Sequence, residues 1–517
     1  MKHTLRLAIW AAATWFATAA TAGGTYRISG VVVNSLNGKP LAQTRVMVAS
    51  DDGSAKEVEM TTAADGRFLF EGLPAGSFTL SAERKNYLFQ KYGQHADYAS
   101  TASSVMTGPG GVSEGLTFTL YPQASIRGKV VDERGEPVWY AHMQLLVQVR
   151  GARNEFLVRK VVPTDDTGEY RFSGLPPMDC QVLAVVPITT DGEGLAPEYY
   201  SNITDPNAVT PIHLKPGEEF VADFILRRSR GVKVTVDGPS GIAGGNTSEL
   251  MVLFAQGPQG AEVSANTLEP GSGRTFYHVQ PGRYKLLLGD VHSTFATSHW
   301  IDVGQEDVTV KLPFPDPPEV TARVRVVNGD AGLLQKVMLR LHVFNDAGNN
   351  TRPLGKDGTA VFPAMASGRY AISLGTSDLY VKSVTARNAK VIDGLLDLPD
   401  TGPVQLEIVA AGDAGSVKGK VVAQGKPVCG ANVVLAPATA SENSADYHGY
   451  QSDSDGTFDF RGVKPGDYLL FATDDWQLEF GNRAAIQKYL REAKAVKAAA
   501  NGVLEMQIEP LTANDIR

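Results

Sequence analysis

Asp65-Gly66-Arg67-Phe68-Leu69-Phe70 runs into Leu73-Pro74-Ala75-Gly76-Ser77-Phe78-Thr79-Leu80, and far down the chain Asp455-Gly456-Thr457-Phe458-Asp459-Phe460 runs into Val463-Lys464-Pro465-Gly466-Asp467-Tyr468-Leu469-Leu470. Between them stand Thr167-Gly168-Glu169-Tyr170-Arg171-Phe172 before Leu175-Pro176, Asp357-Gly358 before Val361-Phe362 and Ser367-Gly368-Arg369-Tyr370, and a weaker copy in Phe276 before Val279-Gln280-Pro281-Gly282-Arg283-Tyr284. Asp-Gly supplies the positive-φ turn of a hairpin. The alternating aromatics fall on one face of the strand that follows, because strand side chains have period two. Pro-x-Gly then turns the chain into a second strand whose first aromatic returns to the same core. A block that recurs at this spacing is a repeat, and each unit has the size of a small domain.

Working outward, an earlier half-unit precedes three of the blocks. It reads Ile28-Ser29-Gly30-Val31-Val32-Val33 with Gly38-Lys39-Pro40, Ile126-Arg127-Gly128-Lys129-Val130-Val131 with Gly135-Glu136-Pro137, and Val417-Lys418-Gly419-Lys420-Val421-Val422 with Gly425-Lys426-Pro427. Each is a strand, a Gly/Pro turn and the start of another strand. Each unit closes on one more alternating strand: 116–120, 220–226, 308–312, 404–409 and 504–508. The expected organisation is therefore an all-β tandem array of about five sandwich modules of the immunoglobulin/transthyretin-like type, at 23–121, 122–228, 229–315, 316–412 and 413–517. Pro313-Phe314-Pro315-Asp316-Pro317-Pro318 reads as a stiff, short linker. A helix is expected over 483–500, with Ile486, Tyr489, Leu490 and Ala493 on one stripe packed against the last module.

The combination G-x-V-V, G-x-P, D-x-x-G-x-F/Y-x-F and L-P-x-G-x-Y-x-L resembles the carboxypeptidase regulatory-like domain, a transthyretin-like seven-stranded sandwich, and is similar to the carbohydrate-binding-like group of sandwiches. The likeness is strong in the first, second and fifth units and partial in the third and fourth. Pro197-Glu198-Tyr199-Tyr200 with Asp205-Pro206 and Leu214-Lys215-Pro216-Gly217, and Tyr380-Val381-Lys382-Ser383-Val384, resemble elements of large secreted bacterial proteins built of such modules. The resemblance implies the fold, export and a carbohydrate-binding role; it carries over no ligand site.

Residues 1–22 have the form of a secretory signal: Lys2, His3 and Arg6, an apolar run from Leu7, and Ala20-Thr21-Ala22 at the end. Export to the periplasm or beyond is the expectation, with no apolar run of membrane-spanning length after the leader. Without Lys2 and Arg6 the formal charge of −8 becomes −10, which argues against nucleic acid as a partner, since that binding needs clustered Lys and Arg. The two cysteines are too few for a disulfide framework. Cys180 stands where Phe78, Tyr284, Tyr370 and Tyr468 stand in other units, and Cys429 where Ala42 does, so both read as buried and inert.

No histidine is followed by Glu three residues later and no H-E-x-x-H occurs, so the zinc ligands of a metallocarboxypeptidase are missing. Gly111-Val112-Ser113-Glu114-Gly115 matches a nucleophile-elbow pattern, but a strand follows where that elbow needs a helix. Asp453-Ser454-Asp455-Gly456 with Asp459, and Asp165-Asp166, read as hairpin turns, with Ca²⁺ as the alternative. The reading is thus a non-catalytic protein with no cofactor and no assigned metal. Stacking on a sugar ring needs exposed flat aromatics; the candidates are Trp139, Tyr140, Tyr199, Tyr200, Trp300 and Trp476. The partner would be a polysaccharide or a cell-surface protein. The alternative is a spacer, adhesin or protein-interaction scaffold without a small-molecule ligand. Binding predicts aromatics converging on one groove, and the structural alternative predicts them buried at module junctions.

Overall fold

The computed structural model describes residues 25–512 except 55, 96–100, 149–155, 187–193, 205–207, 230, 238–248, 257–261, 269–273, 291–296, 312–317, 344–348, 364, 366, 377 and 400. The leader, Asp205-Pro206 and most of the Pro-rich linker lie outside the described residues. The chain is all-β; among the described residues ten of the eleven sheets group in five pairs around five main cores, and a two-stranded sheet of Gly194–Leu195 with Arg228–Ser229 stands apart. Among the described residues no helix is long and apolar enough to cross a membrane.

In the first module, β1 (Tyr26–Asn34) lies between β4 (Arg67–Leu73), to which it is antiparallel, and β8 (Leu116–Leu120), to which it is parallel. The facing sheet has β2 (Arg45–Ser50) between β3 (Val58–Thr61) and β5 (Gly76–Glu83), and β5 also pairs with β6 (Gln90–Lys91) and β7 (Val105–Thr107). Every module repeats the first arrangement: its opening strand is central, antiparallel to the hairpin strand and parallel to the closing strand. Phe68, Phe70 and Phe78 fill the first core; Tyr170 and Phe172, then Phe458, Phe460 and Tyr468, fill the second and fifth. Each such side chain contributes roughly 1.5–3 kcal/mol by leaving water.

The glycine of G-x-V-V has a packing reason. A Cβ on Gly30, Gly128 or Gly419 would collide with the backbone carbonyl of Leu116, Ala222 or Met506 in the closing strand, while the ring of Phe68, Tyr170 or Phe458 covers the same spot. In the second module the expected closing strand 220–226 is two strands, Glu219–Val221 and Phe224–Leu226, and between them Asp223 accepts the Lys129 N–H at 2.8 Å.

The C-terminal helix is shorter than its apolar stripe suggested. Helix α1 spans Arg483–Leu490, with the Asn482 side chain accepting from the Ala484 N–H. Lys494–Ala498 is a strand, antiparallel to Gly466–Thr473. Val496 and Ala498 point inward and Ala495 and Lys497 outward, a period-two pattern that alanines conceal within a helical one. As expected, α1 lies on the last module: Ile486, Tyr489 and Leu490 pack on Val434, Ala436 and Phe471, and the Tyr489 and Phe471 rings stack at 5.1 Å.

Candidate functional site

The hairpin turn that defines the repeat is built identically in three modules until its surroundings are considered. The residue four before the turn glycine is a buried Thr62, Thr164 or Ser452. Its hydroxyl accepts the N–H of Thr44, Ala141 or Ala431 and donates to the carbonyl of Leu41, Val138 or Val428. This pins the G-x-P segment to the hairpin. In modules one and two the outer residues of the turn, Ala63 to Asp65 and Asp165 to Thr167, are exposed; in module five Asp453, Ser454 and Asp455 are buried.

Module one is what buries them. Ser104 donates its N–H to the Asp453 carboxylate at 3.0 Å, and its carbonyl accepts the Ser454 N–H at 2.9 Å. Met106 N–H donates to Ser454 Oγ at 2.9 Å, and Ser103 Oγ donates to the Ser452 carbonyl at 2.9 Å. Gln451 donates to the Gly93 carbonyl at 2.6 Å and accepts from Thr101 Oγ1 at 2.8 Å. Beside them the His95 ring stacks on Trp476, centroids 4.7 Å apart and planes 10° apart. The first and last modules are thus docked on each other through backbone and side-chain hydrogen bonds between residues 348 to 358 apart in sequence.

The electrostatics record the docking. Burial pushes the Asp453 carboxyl up to about 6, against hydrogen bonds from Ser104, Tyr450 and Thr457 that lower it. Its equivalent Asp165, on the open turn of module two, is instead held below the usual range by hydrogen bonds from Thr167 and Glu169. Burial also raises the Cys429 thiol and the Tyr92 phenol, which meet across the junction. Cys429 therefore faces module one, only half buried, rather than its own core; Cys180 is fully buried in the core of module two, with its thiol pushed up to about 12.

An open cleft of about 700 Å³ lies along this junction, with Ser77 and Met106 on one side and Lys418, Lys420, Tyr450, Arg461 and Glu505 on the other. Its cations are matched within the cleft: Arg461 with Asp459 at 2.6 Å, Lys420 with Asp455 at 3.3 Å and Lys418 with Glu505 at 4.0 Å. It therefore offers no uncompensated field to a charged ligand.

The six aromatic candidates do not share a groove. Trp139 and Tyr140 are 68% and 51% exposed on module two, centroids 5.5 Å apart, with His142 edge-on to Tyr140 at 5.1 Å. Tyr199 is buried in the same module, and Tyr200 packs edge-on to Phe220 and Phe224. Trp300 is exposed on module three under the Arg283 guanidinium, and Trp476 lies in the junction. Ser113 of the elbow-like pattern lies in the turn before β8, its carbonyl accepting from Ser29. Of the junction residues 101–106 and 451–454, sequence singled out only Asp453 and Ser454, as part of a hairpin turn with Ca²⁺ as the alternative. Nothing in that turn marks a junction: module one has Ala63-Ala64 there, but module two has the equally polar Asp165-Asp166 and leaves it exposed.

A search of curated proteins returned no match. Among solved structures the chain is similar to the TIE protein of Bacillus anthracis, at 12% identity over 74% of both chains with a TM-score of 0.18. It is similar to GBS52, the minor pilin of Streptococcus agalactiae, at 13% identity over 42% of this chain and 100% of that one, TM-score 0.21. A third likeness is to two B repeat units of the collagen-binding protein of Staphylococcus aureus, at 13% identity over 75% and 100%, TM-score 0.13. The family model of the carboxypeptidase regulatory-like domain matches residues 27–121, so the first module is a member of the family that the repeated motifs resemble.

Proposed function

We propose that this is an exported, non-catalytic binding scaffold whose modules are locked in a closed arrangement and present exposed aromatic faces to a polysaccharide or a surface protein. The docking of module five on the edge of module one carries this reading. A stalk or spacer gains reach by keeping its ends apart, and a chain whose first and last modules bind each other gives that reach up. Neighbouring modules are tied as well: Gln123 to Asn86 and Tyr87, Gly194 paired with Ser229, and Asn328 and Tyr380 to Asp413. Asp453, Tyr450 and Cys429, each raised by burial, are engaged in this packing, which accounts for their shifts without chemistry. Carbohydrate binding is supported only by the exposed Trp139, Tyr140 and Trp300.

Small-angle scattering on residues 23–517 tests the closed arrangement. The maximum dimension should fall well short of five modules end to end, and Gln451→Ala with Asp453→Ala should lengthen it. An extended rod unaffected by these changes would return the spacer reading.

A further inference from the structure

The face of module five that seats module one has a counterpart elsewhere in the chain. Strand register equates Asn432 opposite Gln451 with His142 opposite Pro163, and the Gly430 N–H to Ser452 carbonyl bond with the Tyr140 N–H to Thr164 carbonyl bond. Cys429 and Gly430 thus correspond to Trp139 and Tyr140, and Asp453-Ser454 to Asp165-Asp166. In module five these positions carry a strand edge of module one; in module two all four are exposed.

The backbone sets how the Tyr140 ring is presented. Gly430 has φ 79° and Gln43, the module-one equivalent, φ 53°, so this turn demands the left-handed region whatever residue fills it. Module two places Tyr140 there, at φ 59°. A bulky side chain at a position suited to glycine is strained, and such strain persists where another role retains it. Its ring, beside that of Trp139, stands out into water.

We propose that Trp139, Tyr140 and the Asp165-Asp166 turn form a docking face for an extended polypeptide segment bearing a basic side chain. The proposal rests on the reading of the chain as a binding scaffold and names the partner class for one face of it. Backbone N–H groups of the segment bond to the turn carboxylates, as Ser104 and Met106 N–H bond to Asp453 and Ser454. The Asp166 N–H donates to a segment carbonyl as the Ser454 N–H does to Ser104. Two acidic side chains replace the Asp-Ser of module five, and two aromatic faces replace Cys-Gly, which together select Lys or Arg by charge and by cation–π contact.

The test is a display selection of randomised twelve-residue peptides on residues 23–517, followed by binding titrations of enriched peptides to the chain and its variants. Enriched peptides should carry Lys or Arg, and should lose at least tenfold in affinity on Trp139→Ala, Tyr140→Gly or Asp166→Asn. Tyr140→Gly should raise the thermal midpoint while binding falls, which a purely structural tyrosine would not do. No enrichment over the Trp139→Ala chain would overturn the proposal. So would a polysaccharide that binds in a Trp139-dependent manner where peptides do not, although the scaffold reading would survive it. Scattering reports closure separately, so the two readings fail independently.

Discussion

Four residues before the glycine of the intact hairpin turns stands a hydroxyl that no periodicity reveals: Thr62, Thr164 and Ser452. Thr164→Val leaves the Ala141 N–H and the Val138 carbonyl buried without their partner, so denaturant unfolding should show a loss of about 1–3 kcal/mol. Gly128→Ala forces a methyl into the Ala222 carbonyl and should cost on the order of 1–3 kcal/mol by the same measurement, with backbone displacement of the closing strand. Aromatic and glycine positions were legible in sequence because their chemistry is rare and periodic: Phe68, Phe70 and Phe78 are buried where the alternation placed them. The pinning hydroxyls were not, since Thr and Ser are ordinary strand and turn residues and only the three-dimensional pairing shows what they hold.

At the scale of elements, the module-five hairpin turn is both a structural corner and half of a junction. Asp453 is pushed up to about 6 from 3.8, so the docked turn binds a proton more readily than the open one. Linkage fixes the sign: docking is strongest below about pH 4 and weakens as pH rises through about 6. Asp453→Asn keeps an acceptor for the Ser104 N–H and should remove this dependence, read as a thermal midpoint that no longer falls between pH 4 and 7. Helix α1 shows where composition misleads. Ala493 to Ala500 fits a helical stripe and a strand edge equally, and the unpaired side of Gly466–Thr473 settles it by taking Lys494–Ala498 as a neighbour. Ile486→Ala should cost about 2–5 kcal/mol, because Ile486 is fully buried against the outer face of that sheet.

Over the whole molecule, the five-unit organisation could be read from the repeat, while the return of module five to module one could not. Its bonds join Gly93, Thr101, Ser103, Ser104 and Met106 to Gln451, Ser452, Asp453 and Ser454, polar side chains and backbone groups that read locally as turns and strand edges. Nothing in their spacing announces a partner hundreds of residues away. The same is true of the aromatics: Trp476 became a junction residue and Trp139 a surface one, although the two are alike in sequence terms. Cys429 reports on the closure directly, because Tyr92 and Ser103 of module one lie against its thiol, while Cys180 serves as the buried reference. The measurement is the rate of maleimide labelling of the two thiols in the native chain, with and without Gln451→Ala and Asp453→Ala. The closed arrangement predicts slow labelling of both thiols, with Cys429 alone accelerated by the two substitutions. Rapid labelling of Cys429 in the unaltered chain, at the same rate as in the substituted one, would contradict it.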